Sequence, residues 1–179
     1  MSDYGVVTEA GTVRFERLLA APVDRVWDYL TQSELRRKWF AAGDMELRPG
    51  GEMSLIFHNS ELSHHDEEVP DEYRKYEGMV TRGEVLRAEP PRRLVFSWFE
   101  DDGTATEVAF ELEEKGPEQT LLRLVHSRLP SRAMQVGVSG GWHTHLDMLE
   151  DILAGRTPRP FWSTNARHSG EYEKRIPDG

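Results

Sequence analysis

Apolar and polar positions follow a two-residue rhythm over Thr12–Leu19 (TVRFERLL), where Val13, Phe15 and Leu19 alternate with Arg14 and Glu16. This predicts a strand with one buried face. Pro22 then opens a helix where its missing N–H is least missed. Val23, Val26, Trp27 and Leu30 follow at i, i+3, i+4 and i+7, an amphipathic stripe. Ser33 can cap a second short helix carrying Glu34 in its first turn, with Leu35 and Trp39 four apart. Pro49-Gly50-Gly51 is a turn signal before a strand over Glu52–Phe57.

Residues 58–77 (HNSELSHHDEEVPDEYRKYE) are polar and strongly charged, as expected of a long exposed loop or hairpin tip. Strands are predicted over about 78–88, 92–100 and 104–114, broken by Pro90-Pro91 and by Asp101-Asp102-Gly103, the latter a hairpin signal. A last strand covers Gln119–His126. A helix runs through Trp142 to about Ala154, stops at Gly155, and starts as early as Ser131 if Gly137, Gly140 and Gly141 are tolerated. Beyond it lies a polar, Pro-rich tail with one apolar knot, Phe161-Trp162. The order predicts an α+β helix-grip fold: a curved antiparallel sheet around a long C-terminal helix, with two short helices after the first strand. The expected organisation is a single domain over 1–155 and a C-terminal extension over 156–179.

The 179-residue length is enough for a sizeable core without covalent staples. Cysteine is absent, which removes disulfides, thiolate metal sites and cysteine nucleophiles. The start of the chain lacks a signal-peptide pattern, and no apolar run approaches the roughly 18 residues of a membrane span. A cytoplasmic protein with no membrane association is the expectation. The net charge of −10 argues against nucleic acid. Its one basic cluster, Arg36-Arg37-Lys38, reads as a solvated helix face.

Ala21-Pro22-x-x-x-Val26-Trp27-x-x-Leu30-Thr31, with Glu34 and Trp39-Phe40 after it, resembles the opening signature of SRPBCC (START-like) domains. More narrowly, it resembles the group named after the activator of the ninety-kilodalton heat-shock chaperone ATPase. Pro49-Gly50-Gly51, Gly83-Glu84-Val85-Leu86, Pro90-Pro91-Arg92-Arg93-Leu94-Val95-Phe96-x-Trp98, Thr120-x-Leu122-x-Leu124-x-His126 and Gly141-Trp142-x-x-x-Leu146-x-x-Leu149 are similar to its later motifs, in family order over about 12–154. The acidic loop and the extension depart from the usual pattern. The resemblance implies a helix-grip fold whose members include small-molecule binders, cyclase-like enzymes and chaperone co-factors, so fold alone does not give function.

GGWHTHLDML, residues 140–149, contains most of the HxHxDH run that metallo-β-lactamase-type hydrolases use to hold zinc. On a helix, however, His143 and His145 point about 200° apart and cannot clamp one ion. Only a different set, for instance with His64, His65 and Asp66, could complete a site. No metal and no cofactor is expected. His143 and Asp147 fall outside the apolar stripe and are expected at the surface, whereas His145 falls beside it. Trp39, Phe40, Phe57, Phe96, Trp98, His126, Trp142, His145, Leu146 and Leu149 are the candidate walls of a cavity between helix and sheet.

The expected function is therefore non-catalytic binding of a small hydrophobic or amphipathic molecule. A co-chaperone-like interaction module is the alternative, its acidic surface made by 58–77 and by Asp147, Glu150 and Asp151; a homodimer is also left open. Less favoured is a cyclase- or hydrolase-like enzyme using His126 and His145, since no nucleophile elbow, phosphate loop or dinucleotide fingerprint is present. Phe161-Trp162 is expected to dock, over the cavity mouth of its own chain or onto a second subunit.

Overall fold

A computed structural model describes residues 3–178; the outermost residues of the expected 1–155 and 156–179 segments lie outside this range. Among the described residues, seven strands form one antiparallel sheet: β1 Val6–Glu9, β2 Thr12–Leu19, β3 Gly51–Ile56, β4 Val80–Glu89, β5 Arg93–Phe99, β6 Ala105–Gly116 and β7 Gln119–Ser127. Their order is β1-β2-β7-β6-β5-β4-β3. Helices α1 Val23–Thr31 and α2 Ser33–Arg36 link β2 to β3, α3 Asp71–Arg74 precedes β4, and α4 Arg132–Leu153 and α5 Phe161–Arg175 close the chain. Among the described residues no helix is long and apolar enough to cross a membrane.

The patterned elements form where the side-chain period puts them. Val26, Trp27 and Leu30 bury the inner face of α1. The Asp101-Asp102-Gly103 turn joins β5 to β6, with Gly103 at φ 82°, a conformation that costs glycine little. Ser131 caps α4 by accepting from the Met134 N–H at 3.2 Å, and Gly155 at φ 71° follows its end. Val13, Phe15 and Leu19 of β2, Phe96 of β5, and Trp142, Leu146 and Leu149 of α4 meet in the core.

Three expectations change. A strand, β1, precedes the first predicted one; all four of its residues are exposed, so it shows no alternation of burial. The Arg36-Arg37-Lys38 cluster is not uniformly solvated, because Arg36 is buried. Its guanidinium donates to the carbonyls of Ala41, Leu30, Thr31 and Gly43, tying the end of α1 to the chain after α2. Burial lowers Arg36 to about 10, with nearby Asp44 opposing.

The third concerns the C-terminal extension, read from the sequence as a polar, Pro-rich tail with one docking pair and no helix of its own. Its residues 161–175 form α5, packed along α4. Gly140 permits the close crossing: a Cβ there would lie 2.6 Å from Ser169 Oγ and 3.2 Å from its Cα. The acidic segment 58–77, expected to be simply exposed, supplies the N-terminal cap of α5. Glu67 accepts from the Trp162 and Ser163 N–H groups at 2.9 and 3.0 Å, and Ser63 Oγ accepts from the Phe161 N–H. Burial disfavours the Glu67 carboxylate, but these hydrogen bonds hold it below the ordinary carboxylate range. The segment and α5 therefore build each other.

Candidate functional site

Between α4 and the sheet lies a cavity of about 390 Å³, within the range of small-molecule sites. Six of the expected wall residues border it: Phe40, Phe57, Trp98, His126, Trp142 and His145. Trp39, Phe96, Leu146 and Leu149 do not; they are almost fully buried in the core instead. Phe40, just after α2, is the hub of the wall. It lies 4.8 Å from Trp142 between ring centroids and meets Phe57, Trp98 and His145 edge-on at 5.2, 6.0 and 5.1 Å. Phe57 and Trp98 stack at 5.7 Å.

The mouth is made by residues that periodicity does not single out. Tyr73, Tyr76 and Glu77 come from the acidic segment, Glu100 from the start of the β5–β6 turn, and Trp162 from α5. Tyr73 and Trp162 stack at 5.3 Å. The apolar pair of the extension thus docks on its own chain, with Trp162 at the cavity and Phe161 5.2 Å from His145.

The two cavity histidines differ in what they can offer. Trp142 Nε1–H can only donate, and it donates to His126 Nδ1 at 2.9 Å. That nitrogen is therefore unprotonated, and the proton on Nε2 is donated to Thr106 Oγ1 at 2.8 Å. Both nitrogens are engaged, and burial pushes His126 down to about 3. His145 Nδ1–H donates to the Trp39 carbonyl at 2.8 Å, which leaves Nε2 as a lone-pair acceptor. Burial lowers His145 to about 4, with that hydrogen bond opposing. Neither ring is held as a cation near neutral pH. His126, saturated on both sides, is built as a fixed strut.

The opposite side of α4 corrects two placements. His143 and Asp147, expected at the surface, are both buried because α5 covers them. His168 Nε2–H donates to Asp147 Oδ2 at 2.8 Å, and Arg159 Nη1 lies 3.1 Å from the same oxygen. Tyr172 Oη accepts from the Gly5 N–H at 2.7 Å, and the Tyr172 hydroxyl lies 2.9 Å from His143 Nδ1. Burial raises this phenol to about 12, so it remains a donor. Burial and neighbouring His168 take His143 to about 3, against the pull of Asp147. Burial also works against the Asp147 charge, but His168, His143 and Arg159 hold its carboxyl below the ordinary range. Strand alternation adds a residue that the sequence reading passed over: Arg17 shares the inner face of β2 with Phe15 and Leu19 and reaches to 3.8 Å from Asp147 Oδ1.

His143, Asp147 and His168 bring donor atoms within 4.8 Å of one another, a different set from the HxHxD run and from His64, His65 and Asp66. Their geometry fits an ion-pair seam better than a cation site. The two imidazoles stack 3.6 Å apart and 16° from parallel, so their in-plane lone pairs do not converge. Arg159 and Arg17 would also face any ion bound there. Asp151 is likewise buried, held by Arg156 and Arg159, so the acidic face assigned to Asp147, Glu150 and Asp151 is largely neutralised inside the protein.

A curved antiparallel sheet, a long helix across it and an aromatic cavity between them define a START-like, helix-grip protein. Within that class, the chain belongs to the family described as Activator of Hsp90 ATPase homolog 1-like protein, whose model matches residues 20–154. Among solved structures it is similar to the protein encoded by gene BPP1335 from Bordetella parapertussis, with 40% identity over 99% of this chain and 92% of that one, and a TM-score of 0.82. It is also similar to CalU16 from Micromonospora echinospora, with 26% identity over 98% and 96% of the two chains and a TM-score of 0.70. The protein MLL2253 from Mesorhizobium loti shares 26% identity over 80% of this chain and 97% of its own, with a TM-score of 0.61. No curated protein matches the chain.

Proposed function

We propose that this protein binds a small hydrophobic or amphipathic molecule in the cavity between α4 and the sheet, without transforming it. The observation that carries this reading is the lining itself. Aromatic rings from the chain after α2 and after β3, and from β5, α4 and α5, converge on a ligand-sized space, and polar groups are few. The histidine chemistry supports binding over catalysis, because His126 is engaged at both nitrogens by Trp142 and Thr106.

Trp98, Trp142 and Trp162 border the cavity, so intrinsic fluorescence reports occupancy directly. The test is a panel of small aromatic and aliphatic molecules followed by tryptophan fluorescence and thermal unfolding. A ligand at a hundred times its Kd that binds only the folded state adds about 2.7 kcal/mol. Gly141 borders the cavity, and a Cβ there meets nothing within 4 Å. Gly141→Leu should therefore fill the space, abolishing ligand-induced stabilisation while the free protein still folds. A panel without a single stabilising ligand, or binding that Gly141→Leu leaves intact, would overturn the proposal.

A further inference from the structure

The electrostatics of the cavity narrow what it can take. Among its lining residues there is no lysine or arginine, while Glu77 and Glu100 stand at the mouth. Lys75, outside the lining, places its Nζ 4.8 Å from the ring centre of Tyr76. Glu77 is already engaged: its two carboxylate oxygens accept from the Ser60 N–H and hydroxyl at 3.2 and 2.8 Å. Glu100 differs, because its side chain has no hydrogen bond or ion pair among the described residues although it is partly buried. Burial, reinforced by Asp102 and Asp101, raises its carboxyl above the ordinary range. Further in, the free Nε2 of His145 is an acceptor. The faces of Trp98, Trp162 and Tyr73 carry the negative side of the ring quadrupole. These features favour a positive or hydrogen-bond-donating group over an anion.

Building on the binding function proposed above, we infer that the ligand is a small arylalkylamine, an aromatic ring carrying its amine on an alkyl chain, in its ammonium form. Its flat apolar body lies among Phe57, Trp98 and Trp142, and its charged end at the mouth beside Glu100. The aromatic wall supplies the apolar contact, and the Glu100 carboxylate supplies the charge selectivity. A desolvated ammonium beside a carboxylate and aromatic faces gains from both ion pairing and cation–π attraction.

The test uses the full chain and three molecules that share a naphthalene body: naphthylethylamine, naphthylethanol and naphthylacetate. Each is titrated by calorimetry near neutral pH at low and at high salt. The amine is expected to bind about tenfold more tightly than the alcohol, with the carboxylate weakest, on the scale of a desolvated cation–π contact. Glu100→Gln should bring the amine down to the affinity of the alcohol and leave the alcohol unchanged. Glu77→Gln should have the smaller effect. An alcohol or carboxylate that binds as tightly as the amine would sink this inference while leaving the cavity's binding function standing, as would an amine preference that Glu100→Gln does not alter. Failure of all three to bind, with Gly141→Leu indistinguishable from the parent, would count against both.

Discussion

Tyr73 and Trp162 stack face to face, with ring centroids 5.3 Å apart and planes 27° from parallel. One belongs to α3 in the acidic segment and the other to α5, so this contact joins the acidic segment to the C-terminal extension. Both rings border the cavity. The extension is therefore part of the site's architecture.

Removing that contact should loosen the mouth without unfolding the sheet. Trp162 is buried, and Trp162→Ala is expected to cost about 3–5 kcal/mol, the range for large aromatic deletions. Tyr73→Ala, at a half-buried ring, should cost less. In a double-mutant cycle the pair should show a coupling of about 0.5–1.5 kcal/mol. Urea unfolding of the four proteins measures it, and strict additivity would mean that the stacking carries no energy of its own.

How much of this was legible from the sequence depends on where each side chain's position is fixed. The six cavity residues Phe40, Phe57, Trp98, His126, Trp142 and His145 stand in or beside elements whose two- or 3.6-residue periods were readable. Helix α5 was not, because its buried residues Phe161, Asn165, His168 and Tyr172 mix apolar with polar types and its N-terminus is capped by Glu67 from a distant segment. Missing α5 also misplaced His143 and Asp147, since the face of α4 that looked polar is the face α5 covers. Arg17 could have been found: alternation along β2 puts it inward, and an inward arginine requires a buried acid.

That acid is Asp147, and the two charges should respond unequally to substitution. Asp147→Asn removes the negative centre shared by Arg17, Arg159 and His168, leaving buried positive charge uncompensated, and is expected to cost about 3–5 kcal/mol. Arg17 is held more loosely, at 3.8 Å from Asp147 and 3.7 Å from Glu150, and its Nε and Nη2 lack hydrogen-bond partners among the described residues. Arg17→Met should therefore cost less than about 1 kcal/mol or be stabilising. Denaturant midpoints for the two variants test the asymmetry, and equal losses would contradict it.

Acid should destabilise the fold through its buried imidazoles. Folding lowers His126 and His143 from the ordinary 6.5 to about 3, and His145 to about 4, in each case chiefly by burial. The unfolded chain therefore takes up these protons first as the solution is acidified. Their contribution is fully present above about pH 6.5 and declines as the pH falls toward the folded values, by at most about 1.4 kcal/mol per pH unit for each histidine. Asp147 and Glu67, both held below the ordinary carboxylate range, add a further loss at lower pH. Equilibrium unfolding in a pH series should show stability already declining below pH 6.5. A flat profile down to about pH 5 would contradict the buried, neutral histidines.

Two glycines of α4 should give opposite results when replaced by alanine. At Gly137 a Cβ meets nothing within 4 Å, so Gly137→Ala should stabilise by about 1 kcal/mol through helix propensity alone. At Gly140 the same methyl would lie 2.6 Å from Ser169 Oγ and 3.2 Å from Ser169 Cα on α5. The hydroxyl can rotate away, but the backbone of α5 would have to shift, so Gly140→Ala should cost about 1–3 kcal/mol despite the same propensity gain. For a domain of this size each kcal/mol moves the melting temperature by about 2–4 °C, well within the reach of calorimetry. Because α5 carries Trp162, its displacement should also blunt the fluorescence response to any cavity ligand. Equal melting temperatures for the two variants would mean that α5 does not press against α4 as tightly as the Gly140–Ser169 approach requires.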